Sequence, residues 1–161
     1  MIVVADSSPM IVLIEIGHVD VLPRLFGEVI VPPQVLAELL QSNRPQSVHD
    51  FFAAPHVWLI ERIPTAIEAI PTLHAGELAA ISLARELKAD LLLIDEVCGR
   101  KAAADRHIHL TGTIGVLELA AHRGLLDLQD AFSKVKETNF GISHNLLDQR
   151  LGLYLARRKP R

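Results

Sequence analysis

Five acidic side chains stand where a carboxylate can do more than solvate a surface. Asp6 directly follows the apolar run Ile2-Val3-Val4-Ala5, and Asp95 directly follows Leu91-Leu92-Leu93-Ile94. The carboxyl ends of buried strands are where open α/β sheets bind ligands. Asp is also a good helix N-cap, which explains either residue taken alone. Glu77 tips the balance. At about 3.6 residues per turn it shares a helix face with Ala80, Ile81 and Ala84, so its carboxylate runs along an apolar stripe. A buried carboxylate needs a partner, a hydrogen bond or a metal. The helix dipole favours a first-turn Glu by only about 0.3–1 kcal/mol and does not make it face inward. Glu38 lies off the centre of the stripe Val35, Leu36, Leu39 and Leu40, so periodicity alone makes it a solvated residue. Glu96, beside Asp95, is either a first-turn acid or a further ligand.

An oxygen-donor cluster without Lys or Arg inside it suits a hard divalent cation, Mg²⁺ or Mn²⁺. Zinc is disfavoured, because the eight His are scattered, Cys98 is alone and no H-E-x-x-H occurs. His107 and His109 read as surface residues on one strand face, and His74 as a loop residue near Glu77. G-x-S-x-G, Walker and G-x-G-x-x-G motifs are all missing, which argues against a nucleophilic Ser and a nucleotide cofactor. Arg100, Lys101 and Arg106 follow Asp95 on the next helix, as a solvated face or as phosphate contacts. Ser7 and Ser8 follow Asp6, where a hydroxyl can bond a carboxylate or cap the next helix.

Apolar runs that position these residues fall at 2–5, 29–31, 91–94 and about 109–111, with a weaker candidate at 57–60. Unbroken apolar runs mean burial on both faces. Helical patterns lie between them, at about 9–16, 20–26, 32–41, 47–53, 75–87, 96–104 and 113–123. The pattern predicts an α/β fold with a mostly parallel central sheet of four to five strands flanked by helices. Beyond Asp127 only helical stripes remain: Leu128, Ala131, Phe132 and Val135, then Leu146, Leu147, Leu151, Tyr154 and Leu155. They form a helical C-terminal extension ending in the basic tail 157–161, read as frayed and solvated.

With 161 residues, half of them hydrophobic, the chain fits one domain with a sizeable core. A net charge of −3 excludes bulk polyanion binding, so nucleic-acid contact must use a local patch. The lone cysteine points to a cytoplasmic protein. No apolar run is long enough for a membrane span, and no basic segment precedes the first one as in a signal peptide.

Val4-Ala5-Asp6-Ser7-Ser8-Pro9, Val31-Pro32-Pro33 with Glu38, His74-Ala75-Gly76-Glu77, Leu92-Leu93-Ile94-Asp95-Glu96 with Gly99-Arg100, and Gly112-Thr113-Ile114-Gly115-Val116-Leu117 occur in an order that resembles the PIN-domain family. The chain is similar to a prokaryotic PIN-like subgroup grouped with VapC-type toxins. The resemblance is strong over 1–125, the nuclease domain, and looser over 126–161, the helical extension and tail of the same domain. It implies a Rossmann-like sheet and a Mg²⁺- or Mn²⁺-dependent ribonuclease, the toxin of a type II toxin–antitoxin pair, with a homodimer and a small antitoxin protein as partners. Carried over residue by residue, it makes Asp6, Glu38, Glu77 and Asp95 catalytic. Ser8 matches the hydroxyl near the first Asp; the metal set is then Asp6, Glu77 and Asp95 with Glu96 as a neighbouring acid, and RNA contact is expected of Ser8 and, from their place on the helix after Asp95, of Arg100 and Lys101. Glu77 stands where many members have Asp, and Glu96 departs from the usual Asp or Asn, leaving open which of residues 95 and 96 reaches the metal. Two rivals remain. One is a catalytically inactive PIN-like module that binds RNA or protein. The other is a phosphoryl-transfer domain of the receiver or haloacid-dehalogenase kind, disfavoured because Asp6-Ser7-Ser8 supplies neither an acidic pair nor D-x-D.

Overall fold

The computed structural model describes residues 1–158. Five short strands, β1 (Val3–Ala5), β2 (Val29–Val31), β3 (Leu59–Glu61), β4 (Leu91–Leu93) and β5 (Leu110–Thr111), form one sheet in the order β3-β2-β1-β4-β5. Every pairing is parallel. Val3, Val4 and Ala5 are fully buried, as helix cover on both faces requires. The chain builds the sheet outward from β1 to β3, then crosses over to add β4 on the other side of β1. Strand order therefore reverses at the β1–β4 seam, the topological switch point where such sheets open a crevice.

Helices α1 (Ser7–Glu15), α2 (Val21–Phe26), α3 (Pro33–Leu39), α4 (Gln46–Phe52), α5 (Ala75–Glu86), α6 (Val97–Asp105) and α7 (Thr113–His122) connect and cover the strands. Met10 and Leu13 of α1, Ile81 and Leu83 of α5, and Leu117 of α7 are fully buried in one core with Leu92 and Leu93. The extension comprises α8 (Leu128–Glu137) and α9 (His144–Arg158). The expected α8 stripe of Leu128, Ala131, Phe132 and Val135 is buried throughout, and Phe132 is among the largest enclosed side chains.

Several expectations need correcting. β3 starts two residues later than the run at 57–60, and Val57 is almost fully exposed because it precedes the pairing with β2. Leu40 is exposed, because α3 ends at Leu39 before the stripe can return to the core. On α9 only Leu147 and Tyr154 are buried, while Leu146 and Leu155 face outward. His107 is not on a strand: it turns the chain between α6 and β5 in the left-handed region, at φ 59°. Arg157 and Arg158 belong to the last turn of α9 rather than to a frayed tail. The remainder of the expected tail, 159–161, lies outside the described residues. Among the described residues no helix is long and apolar enough to cross a membrane.

Candidate functional site

The backbone N–H of Asp6 donates to Leu93 O at 2.9 Å, which extends the β1–β4 pairing one residue past the strand. Asp6 is thereby fixed at the mouth of the switch-point seam, with 2% of its surface exposed. It occupies the N-cap position of α1, yet its side chain makes no capping hydrogen bond. Oδ1 is buried without a partner. Burial pushes the Asp6 carboxyl up to about 7, and the charges of Glu38, Glu77 and Asp95 push in the same direction. These four acids, spread from residue 6 to residue 95, thus share one electrostatic neighbourhood.

Glu38 reaches the site through partners on two other elements. Ser7 Oγ donates to its Oε2 at 2.6 Å, and Gly76 N donates to its Oε1 at 3.0 Å. It is half-buried and faces the cleft, not solvent as the α3 periodicity implies. Gly76 matters because a Cβ there would collide with the Glu38 carboxylate. The hydroxyl that bonds an acid is Ser7; Ser8 lines the adjoining cavity.

Glu77 is buried, as its stripe position predicts, with 6% of its surface exposed. Its Oε1 accepts from the backbone N–H of His74 at 3.1 Å, so it reaches back to the N-cap of its own helix. His74 is therefore a helix start rather than a loop bystander. Oε2 of Glu77 is buried and unpartnered. Burial raises the Glu77 carboxyl above the ordinary Glu range, and contact with Glu96 raises it further against the His74 bond. Glu96 behaves oppositely. It is exposed, caps α6 by accepting from Gly99 N at 2.8 Å, and this bond leads the causes that hold its carboxyl low.

Asp95 does not cap the helix that follows it, because Glu96 does. Its two oxygens turn instead to the start of α7. Thr113 N donates to Oδ1 and Thr113 Oγ1 to Oδ2, both at 2.7 Å. Burial raises the Asp95 carboxyl, while the Thr113 bonds and the Arg100 charge oppose the rise. Thr113 is fully buried. Thr113 has no role of its own in the sequence reading, where it stands only within the segment Gly112-Thr113-Ile114-Gly115-Val116-Leu117 of the family resemblance.

A cavity of about 820 Å³ opens beside the acids, bounded by Ser8, Asp95, Glu96, Arg100, Phe140 and Arg150 among others. Asp6, Glu38 and Glu77 do not line it. Arg100 keeps Nη1 on Ile94 O at 3.1 Å, so its guanidinium is held at the cavity wall. Lys101 is not brought to the site: it points to solvent and pairs with Asp105 at 3.1 Å. Arg106 is occupied elsewhere, gripping Glu68 at 2.7 and 2.9 Å.

Carboxylate oxygens are hard donors, and two buried ones lack a partner, so the donor set fits a hard divalent cation. The acids are not closed around a single point, however. Among the described residues no three His, Cys, Asp or Glu side chains are close enough together to hold one ion.

The solved structure of a PilT N-terminus domain protein from the hyperthermophilic archaeon Sulfolobus solfataricus P2 superposes with a TM-score of 0.50. Identity is 16%, and the match covers 72% of this chain and 90% of that one, a likeness of fold alone. A search of the curated proteins gives no match. The family DUF3368, described as PIN domain, matches residues 2–154. That span takes in every acid of the switch-point cluster, and the chain belongs to the PIN-domain family.

Proposed function

We propose that this chain is a Mg²⁺- or Mn²⁺-dependent endoribonuclease, the toxin of a toxin–antitoxin pair. Family membership supports a nuclease-type function. The observation that carries the reading is the pair of unpartnered buried oxygens, Asp6 Oδ1 and Glu77 Oε2, in a cluster of acids at a topological switch point. Burying uncompensated carboxylates is unfavourable, and a cation removes the penalty.

In this reading Asp6, Glu77 and Asp95 hold the cation, with Glu96 as the solvent-facing acid beside them. When bound, such an ion lowers the pKa of water and neutralises phosphate charge. The chain's own residues supply the rest. Glu38, held by Ser7 and Gly76, takes a proton in this reading from water entering the cleft. Arg100 and Ser8 line the cavity wall where a phosphodiester would lie, and the guanidinium suits a phosphate better than a point charge does. The same reading includes a homodimer and a small antitoxin protein that covers the cleft.

A second reading, a catalytically inactive PIN-like module, is favoured by the lack of a preassembled three-ligand set among the described residues. One experiment separates the two. Mn²⁺ binding is titrated by calorimetry, and cleavage of single-stranded RNA is followed with and without the ion, for wild type and Glu77→Gln. The nuclease reading expects ion-dependent cleavage that collapses in Glu77→Gln while the fold survives. Ion binding without cleavage identifies the inactive module.

A further inference from the structure

Asp95 is the only acid of the cluster whose two oxygens are both held by one residue. Thr113 presents its backbone N–H and its hydroxyl as a fork, each at 2.7 Å from a different carboxylate oxygen. It can do so because it is the first residue of α7, where backbone N–H groups have no partner within the helix. Its side chain is fully enclosed, so water cannot replace the hydroxyl. The preceding Gly112 lets the carboxylate come this close. A Cβ there would lie 2.5 Å from Asp95 Oδ1 and 2.8 Å from Arg100 Nη1. One glycine thus makes room for the acid and for the guanidinium beside it.

The fork leaves each Asp95 oxygen a free lone pair and removes the carboxylate's rotation. Glu38 is also held at both oxygens, though by two residues, whereas Asp6 Oδ1 and Glu77 Oε2 have no partner. Residues that bond a metal ligand from behind fix its orientation, and their loss weakens metal binding about 10–100-fold.

We infer that Thr113, admitted to the site by Gly112, is a positioning residue that sets the Asp95 carboxylate for the cation and the reaction. This inference rests on the nuclease reading above. Its rival is purely structural: Asp95 anchors the start of α7, and the fork serves only the helix.

The test compares Thr113→Val, which keeps the backbone donor and the shape, with Thr113→Ser, which keeps both donors. Mn²⁺ affinity is measured by calorimetry, melting temperature is measured without the ion, and cleavage of single-stranded RNA is followed. Thr113→Val should weaken Mn²⁺ binding by about tenfold or more, and Thr113→Ser should restore most of it. In an Asp95→Asn background Thr113→Val should change Mn²⁺ affinity no further, since coupled residues are not additive. If Thr113→Val does not fold, Gly112→Ala displaces the carboxylate without removing a donor and should give the same loss. Wild-type Mn²⁺ affinity in folded Thr113→Val, with only a lower melting temperature, overturns the inference and leaves the nuclease reading intact. A wild type that binds no Mn²⁺ defeats the nuclease reading, and the positioning role falls with it.

Discussion

Asp6→Asn tests the electrostatics of the site without reference to any substrate. The folded protein holds the Asp6 carboxyl at about 7, against an ordinary value of 3.8, chiefly because it is buried. Between those values the native state keeps a proton that the unfolded chain has released. Stability contributed by this group is therefore complete below about pH 4 and drains away as pH rises towards 7. At about 1.4 kcal/mol per pH unit, the whole displacement corresponds to about 4 kcal/mol. Between pH 5 and pH 8 the share lost is about 2–3 kcal/mol, or roughly 5–10 °C in melting temperature for a chain of this size. Asparagine has the same shape and no charge to bury. In EDTA, Asp6→Asn should gain on the wild type by that amount as pH rises from 5 to 8, measured by urea denaturation. Taking the difference between the two proteins cancels Glu96, Glu68 and Glu86, whose carboxyls are held low in both. Adding Mn²⁺ at pH 8 should stabilise the wild type selectively, by about 2.7 kcal/mol at a hundredfold excess over its dissociation constant. A stability difference that stays flat across this pH range would refute the claim that Asp6 is buried among like charges.

Three further perturbations probe the scaffold and the substrate side. Gly76→Ala should cost about 1–3 kcal/mol in denaturation and depress RNA cleavage, because the new Cβ drives Glu38 off Ser7 and Gly76; full stability with full activity would mean that Glu38 is not held as described. Arg100→Glu should weaken RNA binding and reduce the slope of log affinity against log salt by about one phosphate contact, while Lys101→Glu, paired with Asp105 in solvent, should change little. Phe132→Ala should cost about 3–5 kcal/mol and leave one cooperative transition, since α8 is built into the core; a transition split in two would make the extension a separate unit.

The sheet and three of the acids were legible because they rest on local pattern. Asp6 and Asp95 are marked by the unbroken apolar runs before them, and Glu77 by the helical period that turns it inward. What was illegible depends on partners brought in by topology. Glu38 looks solvated on α3, and it takes Ser7 of α1 and Gly76 of α5 to fix it in the cleft. The Asp95–Glu96 pair could not be divided from sequence, since either residue can cap a helix. The fold divides it: Glu96 caps α6, and Asp95 crosses to the start of α7. Lys101 shows the reverse error. Nearness to Asp95 in sequence suggested the cleft, but Arg100 lines the cavity while the next residue along α6 faces solvent.

The satisfied and unsatisfied acids separate two kinds of explanation. Glu96 caps α6, and its role there would be filled nearly as well by Ser, Thr or Asn. Asp6 has no such account. It sits in an N-cap position without capping, and it leaves an oxygen buried with no partner. At neutral pH its displaced proton equilibrium alone opposes folding by about 4 kcal/mol, against total stabilities of about 5–15 kcal/mol for domains. A Ser at that position would cap α1 and carry no charge. A fold that keeps the carboxylate there, with a second unpartnered oxygen on Glu77 in the same cluster, gives up stability at neutral pH that, in the nuclease reading, a bound cation would return. Helix capping alone therefore does not account for Asp6 and Glu77, and the pH dependence of Asp6→Asn measures how much stability has been given up.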